Sequence, residues 1–210
     1  ANARHIVTVE DPIEVLHSDR EAIVSQREVG SDTTNVADAL RRISRQDADV
    51  VFVSDLPDAD SVREALAVAA AGRLVIAVLN TLSATDTISW MIDRFPPHQQ
   101  GSARSLLGRV LRGVVCQRLV DRADGRGRVA VVESLVGTHK VRDAIIDGGD
   151  PMLLERLMSE GEYHGMATFD QALFQLFSDE YVSLDEALER AIHPEDFRIA
   201  VQQAGLATLR

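Results

Sequence analysis

A chain of 210 residues with 45% apolar side chains is long enough for one large domain, or one domain and a satellite, around a real core. Its formal net charge of −11 repels phosphate backbones and argues against nucleic acid as a partner, although a local pocket could still oppose the global sign. No apolar run approaches the length of a membrane-spanning helix, and the single cysteine permits neither an internal disulfide nor a cysteine cage for zinc.

Three short β-rich runs open the chain, His5 to Val9, Glu14 to His17 and Ala22 to Val29, separated by turns at Pro12 and Ser18-Asp19. Thr33 to Arg45 reads as a helix capped by Asp32 or Thr33, with Val36, Ala39, Leu40 and Ile43 on one face. Val50 to Val53 and Leu74 to Leu79 are continuous apolar runs, the pattern of strands buried on both faces. Between them, Ser61 to Ala71 is an alanine-rich helix ended by Gly72, and after them Ser83 to Arg94 is a helix stopped by Pro96-Pro97. This alternation predicts an α/β fold with a mainly parallel sheet covered by helices.

His98 to Val115 reads as one long amphipathic helix. Gln117 to Asp121 and Arg128 to Leu135 read as two strands joined at Asp124-Gly125-Arg126-Gly127. Beyond Gly137 the pattern is wholly helical, with helices expected near Thr138–Asp147, Pro151–Ser159, Thr168–Phe177, Ser183–Ile192 and Pro194–Gln203. The organisation expected is therefore an α/β core over residues 1–136 and an all-helical subdomain over 137–210. A start at Ala1 rather than at Met leads us to expect a trimmed or excised beginning, or removal of an initiator Met.

Some residues could carry chemistry. Glu10-Asp11 come directly after the first strand and could hold Mg²⁺ or position a water, or could be an acidic turn before a proline. Asp55 ends an apolar strand, the place of a Walker B carboxylate, and also a common place for a loop acid. Arg27, Arg41, Arg42 and Arg45 could clamp phosphates, or could pair with the neighbouring acids Glu28, Asp32, Asp38, Asp47 and Asp49. The six histidines have no metal-site spacing on one helix, and Cys116, inside Gly-Val-Val-Cys, reads as a packed thiol. Lys140 is the only lysine in the chain.

In order, these pieces carry a resemblance. Thr8-Val9-Glu10-Asp11-Pro12-Ile13-Glu14 resembles the Asp box of secretion and pilus motor ATPases, and Ser25-Gln26-Arg27-Glu28-Val29 resembles the Gln-Arg-Glu-Val stretch after it. Leu40-Arg41 and Arg45-Gln46-Asp47-Ala48-Asp49-Val50-Val51 are similar to the run entering the Walker B strand. Phe95-Pro96-Pro97, Gln117-Arg118-Leu119 and Gly165-Met166-Ala167-Thr168-Phe169-Asp170 continue the match. The similarity covers nearly the whole chain and is greatest to the pilus retraction, or twitching-motility, branch (PilT-type). The four-cysteine zinc element of the assembly and secretion branches cannot be built here.

The resemblance implies part of a RecA-like P-loop NTPase core, with ATP and Mg²⁺ as cofactors. It implies a homo- or hetero-hexamer of motor subunits at the cytoplasmic face of the inner membrane, working with a membrane platform protein. Glu10 and Asp55 take the acid positions, and Asp11, Arg27, Arg45, Arg73 and Asn80 the nucleotide-binding positions. There are also departures. No Gly-x-x-x-x-Gly-Lys-Ser/Thr loop occurs in the 210 residues. The Walker B pair Gly-Glu is Ser54-Asp55, which retracts the carboxylate by about 1.5 Å, and a displacement of that size can cost about 10²-fold in a positioned reaction. Arg73 and Asn80 stand where the His box has histidines, and the Ala-Ile-Arg-Asn-Leu element is Lys140-Val141-Arg142-Asp143-Ala144. Two origins are compatible with this pattern. One is the C-terminal part of a motor ATPase subunit, its P-loop strand lying upstream and covering an otherwise bare apolar strand edge. The other is a non-hydrolysing paralogue that assembles with active subunits. An unrelated binding module would require the ordered matches to be chance.

Overall fold

The computed structural model describes residues 4–206, so Ala1 lies outside the described residues. The chain divides into two compact units. One holds the residues up to Asn80 together with Ser89–Leu111, the other Thr81–Ile88 together with the residues from Arg112 onward.

The first unit is built on four parallel strands, β1 (His5–Glu10), β2 (Ile23–Glu28), β3 (Val50–Val53) and β4 (Leu74–Ala77), in the order β2-β1-β3-β4. α1 (Val36–Ile43) connects β2 to β3 and α2 (Ala59–Ala70) connects β3 to β4. α1 starts at Asn35, whose side chain accepts from Asp38 N at 2.8 Å, two or three residues later than the cap read from the sequence. Thr33 instead donates its hydroxyl to Asn35 O, holding the entry turn. α2 starts at Asp58, whose carboxylate accepts from both the backbone N and the hydroxyl of Ser61 and is held below the usual carboxylate range by them. Gly72, at φ +93, closes it in a conformation other residues rarely adopt.

Side-chain alternation divides the sheet into two unlike faces. Val7, Val9, Val51 and Val53 point to one face and are fully buried. On the other face, Val50 and Phe52 are half-buried, and Leu74, Ile76 and Val78 are about half exposed. β3 is therefore buried on one face, not on both as its apolar run predicted, and β4, with Val75 half-buried and Ala77 exposed, is buried on neither; it lies at a sheet edge with apolar side chains in the open. Glu14 to His17 forms no strand. The Gln26 side chain accepts from His17 N at 2.7 Å and donates to Val15 O at 2.9 Å, so one amide satisfies the backbone groups that a partner strand would take.

α3 (Ala84–Asp93) is divided between the units at Ile88 and Ser89, and α4 (Pro97–Val110) packs against α2 within the first unit. α4 ends five residues short of the predicted helix because β5 (Gly113–Asp121) pairs antiparallel along its whole length with β6 (Arg128–Val136). Gly113 suits that pairing, since a Cβ there would meet Leu135 O at 2.9 Å.

In the second unit this hairpin packs against α7 (Phe169–Ser178) and α8 (Leu184–Arg190), so it groups with the helices where the sequence suggested a division near residue 136. α5 (His139–Ile146), α6 (Pro151–Ser159) and α9 (Pro194–Gln203) complete the unit. Its core gathers Val120 and Val131 from the hairpin with Phe169, Leu173, Phe177, Phe197 and Val201. α7 carries a full capping box, Thr168 with Gln171.

Candidate functional site

Parallel strands end together, so the residues just beyond them collect at the carboxyl end of the sheet. Val9 pairs with Val53, which sets Glu10-Asp11 beside Ser54-Asp55. Two hydrogen bonds fix the junction: Ser54 N donates to Val9 O at 3.0 Å, and Asp11 N donates to Ser54 Oγ at 3.1 Å. The Ser54 hydroxyl thus anchors the acidic turn, a contact that a glycine at this position could not make.

Glu10 is the most constrained of the acids. Its Oε1 accepts from Thr8 Oγ1 at 2.6 Å and from Gln26 Nε2 at 3.0 Å, while Oε2 has no partner among the described residues. Sequence reasoning missed Thr8 and Gln26. The period-two alternation placing Thr8, Glu10 and, by register, Gln26 on one face was the signal that could have found them. Asp55 is exposed, without a side-chain hydrogen bond among the described residues, and is followed by the buried anchor Leu56. Asp11 is exposed, and its bond to Pro12 is cis. Asn80 lies just past β4, at the same end of the sheet.

The arginines do not join them. Arg73 precedes β4, and Arg45 lies between α1 and β3, so both belong to the amino end of the sheet. Arg27 and Arg73 converge on Gln46: Arg27 Nη2 donates to its side-chain Oε1 at 2.9 Å, and Arg73 Nη2 to its backbone carbonyl at 2.9 Å. Arg45 is exposed and unpaired among the described residues. Arg41 binds Glu64 and Asp38.

The arrangement offers two carboxylates and few free backbone donors. Glu10 Oε2 and Asp55 are open carboxylates on neighbouring strand ends, and Mg²⁺ in phosphate sites is commonly held by one or two carboxylates besides phosphate and water. No group of three or more metal-binding side chains occurs among the described residues. A seat for phosphate is not formed by the described residues at this end of the sheet. Backbone N–H groups at this end are already taken: Asp11 by Ser54, Val29 by Glu10, Ser54 by Val9 and Val78 by Val53. The N-terminus of α2, otherwise a natural anion seat, is closed by the Asp58 carboxylate.

A parallel α/β sheet with acids on adjacent carboxyl ends, one edge bare, defines part of a RecA-like core. Residues 1–147 match the family described as Type II/IV secretion system protein, and the chain belongs to that family. It is 37% identical over 193 residues to the type IV pilus retraction ATPase PilT of Pseudomonas aeruginosa, covering 92% of this chain and 56% of that one. To the type IV pilus ATPase PilU of the same organism it is 36% identical over 198 residues, covering 94% and 52%. A crystal structure of the pilus retraction motor PilT with bound ADP superposes with a TM-score of 0.82 at 37% identity, over 92% of this chain and 54% of that one. The chain spans about half the length of the curated relatives it matches.

Proposed function

We propose that this chain is the acid-bearing part of a motor ATPase subunit of the pilus retraction and secretion kind, and that by itself it does not hydrolyse ATP. The observation that carries this reading is the pairing of Glu10 and Asp55 at neighbouring strand ends where the nearby backbone donors are already engaged. Such a chain can position a metal ion or a water, but its own backbone donors beside these acids, among the described residues, leave no seat for the phosphates. Glu10 is the positioned acid, held by Thr8 and Gln26, and Asp55 stands in the Walker B place with a shorter reach. In an assembled hexamer at the inner membrane, Arg27 and Arg45 are the candidate clamps, and a membrane platform protein is the partner.

Calorimetric titration of the 210-residue chain with ATP and Mg²⁺ tests this. No heat of binding is expected. Micromolar binding lost in Asp55→Asn would show a complete site and overturn the reading. The altered positions Asp55, Arg73 and Asn80 favour a second reading, a non-hydrolysing member of a mixed ring. Mixing the chain with an active retraction ATPase decides it: co-assembly with a changed ATPase rate supports it, and separate elution with an unchanged rate refutes it.

A further inference from the structure

The second unit contains a groove that the nucleotide reading does not use. α7 forms its floor, α6 and α9 its walls, and its volume is about 870 Å³. The apolar lining comes from Met166 and Phe197, both buried, from half-buried Phe174, Ala172 and Ala200, and from Met152, which is 80% exposed. Phe174 and Phe197 meet edge to face at 5.8 Å.

The walls are fixed to the floor. Asp170 of α7 accepts from Ile192 N and His193 N, both at 2.8 Å, and so holds the start of α9. Gln171 of α7 donates to Ser159 O at 3.0 Å and holds the end of α6. His193 and Glu155 join α9 to α6 directly at 3.1 Å. A groove with pinned walls loses little ordering entropy when it is filled.

The rim has a sign. Glu155, Glu162, Asp170 and Asp196 set four carboxylates around it against one guanidinium, Arg156. An apolar floor about 15 Å long, the length of α7, between acidic walls suits an amphipathic helix with an apolar face and lysine or arginine on its flanks. Methionine at both the mouth and the floor can adapt to such a face.

We propose that the groove between α6, α7 and α9 docks a basic amphipathic helix of a partner protein. The proposal does not depend on the nucleotide reading. Its test is fluorescence anisotropy of the 210-residue chain with a labelled leucine–lysine peptide of helical periodicity, beside a leucine–glutamate peptide of the same pattern. Saturable binding of the lysine peptide alone is expected, weakened by raised salt and about tenfold or more by Glu155→Gln with Asp196→Asn. Gln175→Arg, an exposed change on the groove face of α7, should abolish it while circular dichroism stays unchanged. Glu14→Gln with Glu21→Gln removes the same charge from the first unit and should leave binding intact. Equal weakening by that control pair would reduce the effect to overall charge and overturn the proposal, as would equal binding of the glutamate peptide. Concentration-dependent self-association that Gln175→Arg abolishes would also overturn it, by making a second copy the occupant.

Discussion

Glu133 in β6 is 4% exposed and unites two helix starts in the second unit. Its Oε1 accepts from Ala84 N, the first residue of α3, at 2.6 Å, and its Oε2 from Phe169 N, the first residue of α7, at 3.2 Å. Both donors belong to buried residues, so Glu133→Ala orphans two N–H groups that water cannot easily reach. At about 1–3 kcal/mol for each orphaned group, the loss is about 2–6 kcal/mol, a large share of the roughly 5–15 kcal/mol that holds a domain folded. Urea unfolding followed by far-ultraviolet circular dichroism measures it, and a loss below about 1 kcal/mol would refute the clamp. The titration gives a second arm. Burial pushes the Glu133 carboxyl up from its ordinary range, against the pull of the two N–H donors and Arg118. A raised acid binds its proton more tightly in the folded chain, so its contribution is full below the unfolded value of about 4.3 and is lost as pH rises through the folded value. Glu133→Gln cannot titrate. The stability of the natural chain relative to Glu133→Gln should therefore fall across that window and then level off, and a difference that rises with pH would mean that the donors outweigh burial.

Three further outcomes are expected. Arg118 lies 4.2 Å over the Phe169 ring and donates to Leu82 O at 2.9 Å, so Arg118→Ala should cost about 2–4 kcal/mol in the same unfolding assay, whereas a loss within about 0.5 kcal/mol would place the arginine in solvent. Gly113→Ala sets a methyl group against Leu135 O and should cost about 1–3 kcal/mol, which an unchanged thermal midpoint would disprove. Gln26→Ala releases Val15, His17 and Glu10 together, so amide exchange should accelerate at His17 while the core amides of β1 keep their protection, and unchanged exchange at His17 would refute the strand-like role of that side chain.

Legibility in the sequence tracked the range of the interaction. α6 and α9 are readable to the residue because each begins with a proline in its first turn. The start of β5 is not, since residues 111–115 continue an apolar helical pattern and only pairing with β6 turns them into strand. The one-sided burial of β3 and the exposure of β4 are likewise a matter of sheet order, to which an apolar run is blind. Of the site, the acids are legible because strand ends announce themselves. The separation of Arg73 and Arg45 from them is not, because the whole of β4 lies between Arg73 and Asn80 and carries them to opposite ends of the sheet. Glu133 leaves no local trace, since an acid at alternating spacing in a hairpin reads as solvent-facing until the helices it receives are in place.

The path of the backbone through the two units has a practical result. It passes from one to the other after Asn80, again after Ile88 and a third time after Leu111, the second time inside α3. The units are threaded through each other's sequence, so no single cut in the gene yields either of them whole. Limited proteolysis should accordingly nick exposed loops without releasing a stable half, and a truncation that ends near residue 80 strips the sheet-bearing unit of α4 along with the rest.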